Sequence, residues 1–153
     1  MNSKIVGQLH PSGFDPDLYI SQLFEIPYFD NKKLTIGFVE ATHQPYLKTA
    51  DKVLQDFLQL KPNDRINDTA CVYKYYFNTL KNGYTKPLDI AASEDIWKFV
   101  DPTDIIIHWD ENAEFYLCVS CNCDWEQEHG LQLVFKDGTT LTRASGHDGH
   151  FRD

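Results

Sequence analysis

Thr103-Asp104-Ile105-Ile106-Ile107-His108-Trp109 and, beyond an Asp110-Glu111-Asn112 break, Phe115-Tyr116-Leu117-Cys118-Val119-Ser120-Cys121 are the runs on which the fold turns. From Thr103 onward the apolar residues recur every second position, the period of a strand. In the second run Phe115, Leu117, Val119 and Cys121 share one face. Tyr116, Cys118 and Ser120 share the other, because successive strand side chains point to opposite sides. Leu131, Leu133 and Phe135 alternate in the same way. Lys136-Asp137-Gly138 then turns the chain, and Thr139 to Arg143 returns. These runs predict a four-strand antiparallel meander. A two-residue loop at Gly138 sets Leu141 opposite Val134. A three-residue loop with Gly138 left-handed at a bulge sets it opposite Leu133, and the hydrophobic pattern prefers this second register.

Upstream of the meander the period is helical. Pro45 sits where a helix starts. Tyr46, Leu47, Ala50, Val53, Leu54, Phe57 and Leu58 then follow on one face, with Lys48, Asp51, Lys52, Gln55 and Asp56 opposite. This predicts a helix over 45–60, ended by Pro62. A second helix over 63–82 places Ile66, Ala70, Tyr73, Phe77 and Leu80 on its buried stripe and closes at Asn82-Gly83, a left-handed stop. A third, short helix is capped by Ser93, with Glu94 and Asp95 against its positive end, and stops at Asp101-Pro102.

Before the helices, the runs Leu23 to Phe29 and Leu34 to Glu40 form a hairpin across Asp30-Asn31-Lys32-Lys33. Pro27 cannot donate to a ladder, which makes the first run an edge strand. Residues 1–22 read as an irregular arm and 23–151 as the core of one domain spanning 1–153. Strands and helices are segregated, so the class is α+β: a mainly antiparallel sheet of hairpin plus meander, with two long helices and one short helix packed on one face.

Composition narrows the function. Ten Phe, eight Tyr and three Trp against one Met predict a rigid aromatic core. The formal net charge of −9 repels phosphate backbones and so argues against nucleic acid; it attracts a basic protein partner instead. No segment approaches the roughly eighteen apolar residues of a membrane span, and the first eleven residues lack a signal-peptide apolar stretch. The expected location is therefore the cytoplasm, where Cys71, Cys118, Cys121 and Cys123 stay reduced.

Chemistry-bearing residues concentrate in two stretches. Cys121-Asn122-Cys123-Asp124-Trp125-Glu126-Gln127-Glu128-His129-Gly130 is one, and Ser145-Gly146-His147-Asp148-Gly149-His150 the other. The preferred register sets His129 against Ser145, with His147 just beyond, so that both meet at one end of the sheet. The candidate cluster is Cys123, Asp124, Trp125, Glu126, Glu128, His129, His147, Asp148 and His150. A zinc site would draw ligands from Cys121, Cys123, His129, His147, Asp148 and His150, residue types that zinc accepts. The Cys-x2-Cys-x-Cys spacing has no second paired half, so no metal or cofactor is assigned. A small hydrolase would use Cys123 as a thiolate, activated by His129 or His147 and oriented by Asp148 or Glu128. No strained nucleophile turn or phosphate-cradling loop accompanies it, and no catalytic residue is assigned. The favoured reading is structural. Trp125 packs over the end of the sheet, Glu128 and His129 bond loop backbone, and Asp148-Gly149 turns His150 and Phe151 onto the domain.

Several of these residues carry a resemblance. Ile96-Trp97-Lys98-Phe99-Val100-Asp101-Pro102-Thr103, Cys121-x-Cys-x-Trp-x-x-Glu-His-Gly-Leu131, Phe135-x-Asp-Gly-x-x-Leu141 and Asp148-Gly-His150 together resemble an uncharacterised bacterial domain family. Ile26-Pro27-Tyr28-Phe29 followed by Leu34 is similar to that family's opening hairpin. The family is a domain of unknown function, so the resemblance implies a fold and no reaction. In size and charge the chain also resembles the immunity proteins of contact-dependent toxin systems. That analogy implies a stoichiometric binder that covers a toxin's active site with an acidic, aromatic surface.

Overall fold

The computed structural model describes residues 1–83 and 85–152. The strands among the described residues are β1 (Asn2–Ser3), β2 (Gly7–Gln8), β3 (His10–Pro11), β4 (Leu18–Ile20), β5 (Phe24–Ile26), β6 (Lys32–Val39), β7 (Val100–Trp109), β8 (Phe115–Cys123), β9 (Leu131–Lys136) and β10 (Thr140–Ser145). Two α-helices, α1 (Gln44–Leu58) and α2 (Arg65–Lys81), lie between β6 and β7, followed by a 3-10 helix at Ser93–Phe99. The main sheet runs β10-β9-β8-β7-β6-β4-β3, with β5 pairing onto β6. The class is α+β and the sheet is mostly antiparallel. The meander β7 to β10 forms as its alternation predicts.

One pair departs from the antiparallel rule. β6 joins β7 in parallel, with Ile36 opposite Ile105 and Phe38 opposite Ile107. A parallel pair requires a long crossover, which α1 and α2 supply. The hairpin β5–β6 is as expected, with Phe24 opposite Leu34. Its first strand is shorter than the predicted Leu23 to Phe29 run, because Pro27–Phe29 winds into a 3-10 turn. Among the described residues β5 pairs with β6 alone, the edge position that Pro27 implied.

The arm is more regular than expected. β1 and β2 form a small ribbon, while β3 and β4 extend the main sheet beyond β6. The ribbon is tied to α1 by Asp51, whose carboxylate accepts the Ser3 hydroxyl and the Lys4 backbone N–H. Asp51 was expected on the solvent side of α1; it is buried because these two donors satisfy it.

The helix over 63–82 is rotated relative to its predicted stripe. Its buried residues are Thr69, Val72, Tyr76 and Thr79, whereas Ile66 is 57% and Phe77 50% exposed and Ala70 lies on the surface. Thr69 and Thr79 enter the core because each hydroxyl donates to its own helix, to the carbonyls of Arg65 and Tyr75. Pro62–Asp64 precedes α2 as a separate 3-10 turn. Asn82 ends the helix and Gly83 follows at φ 77, the left-handed stop read from the sequence. Ser93 does not cap the last helix. Ala92 holds that position, and Asp95 accepts the N–H groups of Ala91 and Ala92.

Both helices and one face of the sheet enclose the core, with Tyr28 at its centre. Its ring lies 4.9 Å from Phe29, 5.8 Å from Phe57, 5.4 Å from Phe135 and 5.9 Å from Trp97. Each such pair adds about 0.5–1.5 kcal/mol beyond area burial. Phe115, Leu117, Val119, Cys121, Leu131, Leu133 and Phe135 face this core, while Tyr116, Cys118 and Val134 form a separate cluster on the opposite face with Phe151. The two faces read from the alternation are thus the two faces observed.

The hairpin register differs from the preferred one. Lys136 pairs with Thr140 and Leu141 with Phe135; a bulge at Thr142 then brings Ala144, rather than Leu141, opposite Leu133. The loop is the three residues Asp137-Gly138-Thr139, and the irregularity sits in the returning strand instead of at Gly138. Gly138 has another duty. It adopts φ 76, and a Cβ there would lie 2.2 Å from the Val53 carbonyl oxygen of α1.

Candidate functional site

The last residues of β8 begin the site. Alternation carries Cys121 and Cys123 into the core, both at 4% exposure. No disulfide joins any of the four cysteines. Burial pushes the Cys123 thiol up to about 12 and the Cys118 thiol up to about 12, and raises Cys121 well above its ordinary value. The Cys123 Sγ donates to the Glu126 carbonyl at 3.5 Å. A neutral thiol turned inward is a packing residue, since the thiolate is the reactive form.

Beyond Cys123 the chain makes a turn organised by Glu126. Its Oε1 accepts the backbone N–H groups of Glu128 at 3.0 Å and His129 at 3.1 Å, and its Oε2 lies 3.4 Å from His129 Nδ1. These donors, His129 first, hold the Glu126 carboxyl below its usual range. Gly130 closes the turn at φ 62, where a Cβ would meet the Cys121 carbonyl oxygen at 2.7 Å. The Tyr75 hydroxyl of α2 donates to the Gly130 carbonyl at 2.8 Å. Trp125 is 1% exposed, edge-on to Tyr75 and Tyr76, and its indole N–H has no hydrogen-bond partner among the described residues.

The second stretch crosses to the other side of the sheet. The His147 N–H donates to the His129 carbonyl at 2.8 Å, so the two stretches do meet, although Ser145 faces Gln132 and not His129. Their side chains then diverge. His147 Nε2 lies 2.7 Å from Ser120 Oγ on the face away from the helices. Arg143 grips Asp148 with two nitrogens, at 2.8 and 2.7 Å, and holds its carboxyl far below the carboxylate range. Asp148 also accepts the His150 N–H, while the His150 carbonyl accepts from Gln132 and Arg143. Phe151 lies stacked on Tyr116 at 5.2 Å.

The candidate cluster is therefore two groups rather than one. Asp124, Trp125, Glu126, Glu128 and His129 belong to the turn after β8. His147, Asp148 and His150 form a C-terminal strap on the outer face, and Cys123 points into the core between them. Neither the zinc set nor the Cys–His–Asp arrangement is assembled. Among the described residues Glu126, Glu128 and His129 are the group whose ligand atoms come within 4.8 Å of one another. Glu126 already spends its oxygens on the turn.

Sequence reasoning missed two features. The first is an open cleft of about 680 Å³ between Gly83, Thr85–Leu88 and Asp124–Glu128, floored by Trp125. Leu88 is anchored there by its N–H to the Tyr76 hydroxyl, at 2.9 Å. The second is the outer face, where Ile106, His108, Cys118 and Ser120 line a smaller cavity. The even-numbered residues of β7 and the Cys118–Ser120 alternation carried the signal for it.

Comparison with known proteins adds one finding. A family model described as Domain of unknown function (DUF6985) matches residues 5–151, and the chain belongs to that family. No curated protein and no solved structure matches it.

Proposed function

We propose that this member of a domain family of unknown function is a non-enzymatic, acidic protein-binding domain that takes a basic segment of a partner in the cleft over Trp125. The observation that carries the reading is the Trp125 indole N–H, buried and without a partner among the described residues. An unmet buried donor costs about 1–3 kcal/mol. An incoming peptide carbonyl would relieve that cost. Asp124 and Glu128 flank the same floor and would pair with lysine or arginine beside that carbonyl.

Two further observations support binding over catalysis. Cys118, Cys121 and Cys123 are buried with their thiols pushed toward the neutral form, Glu126 and Asp148 are committed to turn and strap contacts, and His147 is engaged by Ser120. The most concrete form of the proposal is immunity-protein-like: a stoichiometric inhibitor that covers a basic toxin's active site. The net charge of −9 would steer such a partner in, faster at low salt.

The test uses wild-type protein and an Asp124→Lys/Glu128→Lys variant as baits in extract of the source cell. A partner retained by the wild type, lost from the variant and weakened by salt is the expected result. Equal capture by both baits, or none by either, refutes the cleft as the interface.

A further inference from the structure

The outer face of the sheet holds groups that the cleft does not use. β7 and β8 present Ile106, His108, Cys118 and Ser120 there, and His147 and Phe151 of the strap close over them. The space left is a half-enclosed cavity of about 190 Å³. Size limits its occupant. An engineered apolar cavity of about 150 Å³ admits one benzene, so this one fits a single ring with a small substituent. Drug-sized ligands occupy pockets of roughly 300–1,000 Å³.

Charge limits the occupant further. Among the described residues no carboxylate, lysine or arginine side chain lines the cavity. An ion entering it would lose water without meeting a counter-charge, which is unfavourable. Hydrogen bonding then selects within the neutral class. The His108 ring touches Phe151, centroids 4.8 Å apart, and has no hydrogen-bond partner among the described residues. A neutral imidazole offers a donor at one nitrogen and an acceptor at the other. Ser120, 2.7 Å from His147 Nε2, retains acceptor capacity beside it.

We propose that this cavity is a binding site for a small uncharged aromatic alcohol, of which phenol is the simplest. The ring packs among Ile106, Cys118 and Phe151, and the hydroxyl bonds to the His108 imidazole. The site is independent of the acidic cleft, since it lies on the opposite face of the sheet from the helices.

Phenol titrated into the full chain, followed by ¹H–¹⁵N correlation spectra, provides the test. Saturable shifts are expected at Ile106, His108, Cys118, Ser120 and Phe151, with none from benzoate, the charged analogue. His108→Phe keeps a ring in place but removes the bond. It should weaken phenol about fivefold, the equivalent of one neutral hydrogen bond of about 1 kcal/mol. Ile106→Trp fills the space while leaving His108, Ser120 and His147 in place and should abolish binding. The proposal is overturned if phenol gives no saturable shifts, which leaves the cavity to water alone, or if its shifts map elsewhere. Benzoate binding as well as phenol, or undiminished binding to His108→Phe, overturns it too. Should Ile106→Trp fail to fold, as seen by circular dichroism, the wild-type map and His108→Phe decide.

Discussion

His108 should make the fold sensitive to mild acid. Its ring is wedged beside Phe151, and burial pushes its pKa from 6.5 down to about 4, with no charged group contributing. In the unfolded chain the same imidazole titrates near its ordinary value of about 6.5. Between these two values the unfolded state takes up a proton that the folded state refuses. Stability is therefore complete above about pH 6.5 and declines as pH falls toward 4, where the folded ring also protonates and the loss levels off. The full shift corresponds to about 3 kcal/mol as an upper bound. Water still reaches a half-buried ring, so about 2 kcal/mol is the expected size. The measurement is urea unfolding of wild type and His108→Phe at a series of pH values from 4 to 7. Carboxylates titrate in both proteins, so the difference between the two curves isolates the ring. That difference should grow by about 2 kcal/mol on acidification, in favour of the variant. Parallel curves would refute the assignment, and with it the claim that the ring is desolvated.

Other expectations follow from the same contacts. Gly138→Ala forces a left-handed alanine against the Val53 carbonyl and should cost about 2–4 kcal/mol in urea unfolding; a loss under about 1 kcal/mol would mean that the loop moves freely away from α1. In the native protein Cys118, Cys121 and Cys123 should resist a thiol reagent that labels all four cysteines in denaturant; rapid native labelling of any of the three contradicts their burial. Arg143→Gln should speed amide exchange across 149–152 while changing global stability by less than about 1 kcal/mol, since the ion pair is partly exposed. The Asp148 carboxyl is depressed, so its contribution is present above the unfolded value of about 3.9 and lost at stronger acid. Melting with and without a chelator should give the same midpoint, because Glu126 spends its oxygens on the turn; a large drop on chelation would reinstate a metal.

Much of the architecture was legible because alternation is a direct consequence of strand geometry. Phe115 to Cys121 declared both its faces, and Gly83 declared the end of α2. The rest failed where polar residues hide their polarity. Thr69 and Thr79 turn their hydroxyls onto their own helix, so part of the true stripe of α2 looked polar while Ile66 and Phe77 looked buried. Asp51 misled in the same way, since its donors come from the arm 47 and 48 residues away. At the site, the meeting of His129 and His147 followed from the hairpin. The separation of their side chains depended on the bulge at Thr142, which no pattern of apolar residues announces. The parallel pair was hidden because pairing partners lie on either side of both helices.

That pair has a consequence for the order in which the molecule comes together. β6 leaves the ribosome before α1, α2 and the 3-10 helix, yet its partner β7 is made only after all three. Until Trp109 emerges, one edge of β6, carrying Ile36 and Phe38, is without its neighbour, and unpaired apolar edges invite pairing with other chains. The nascent chain must shelter that edge, through the helices folding over it or a chaperone holding it. A product truncated anywhere before β7 should accordingly aggregate rather than persist as a partly folded fragment.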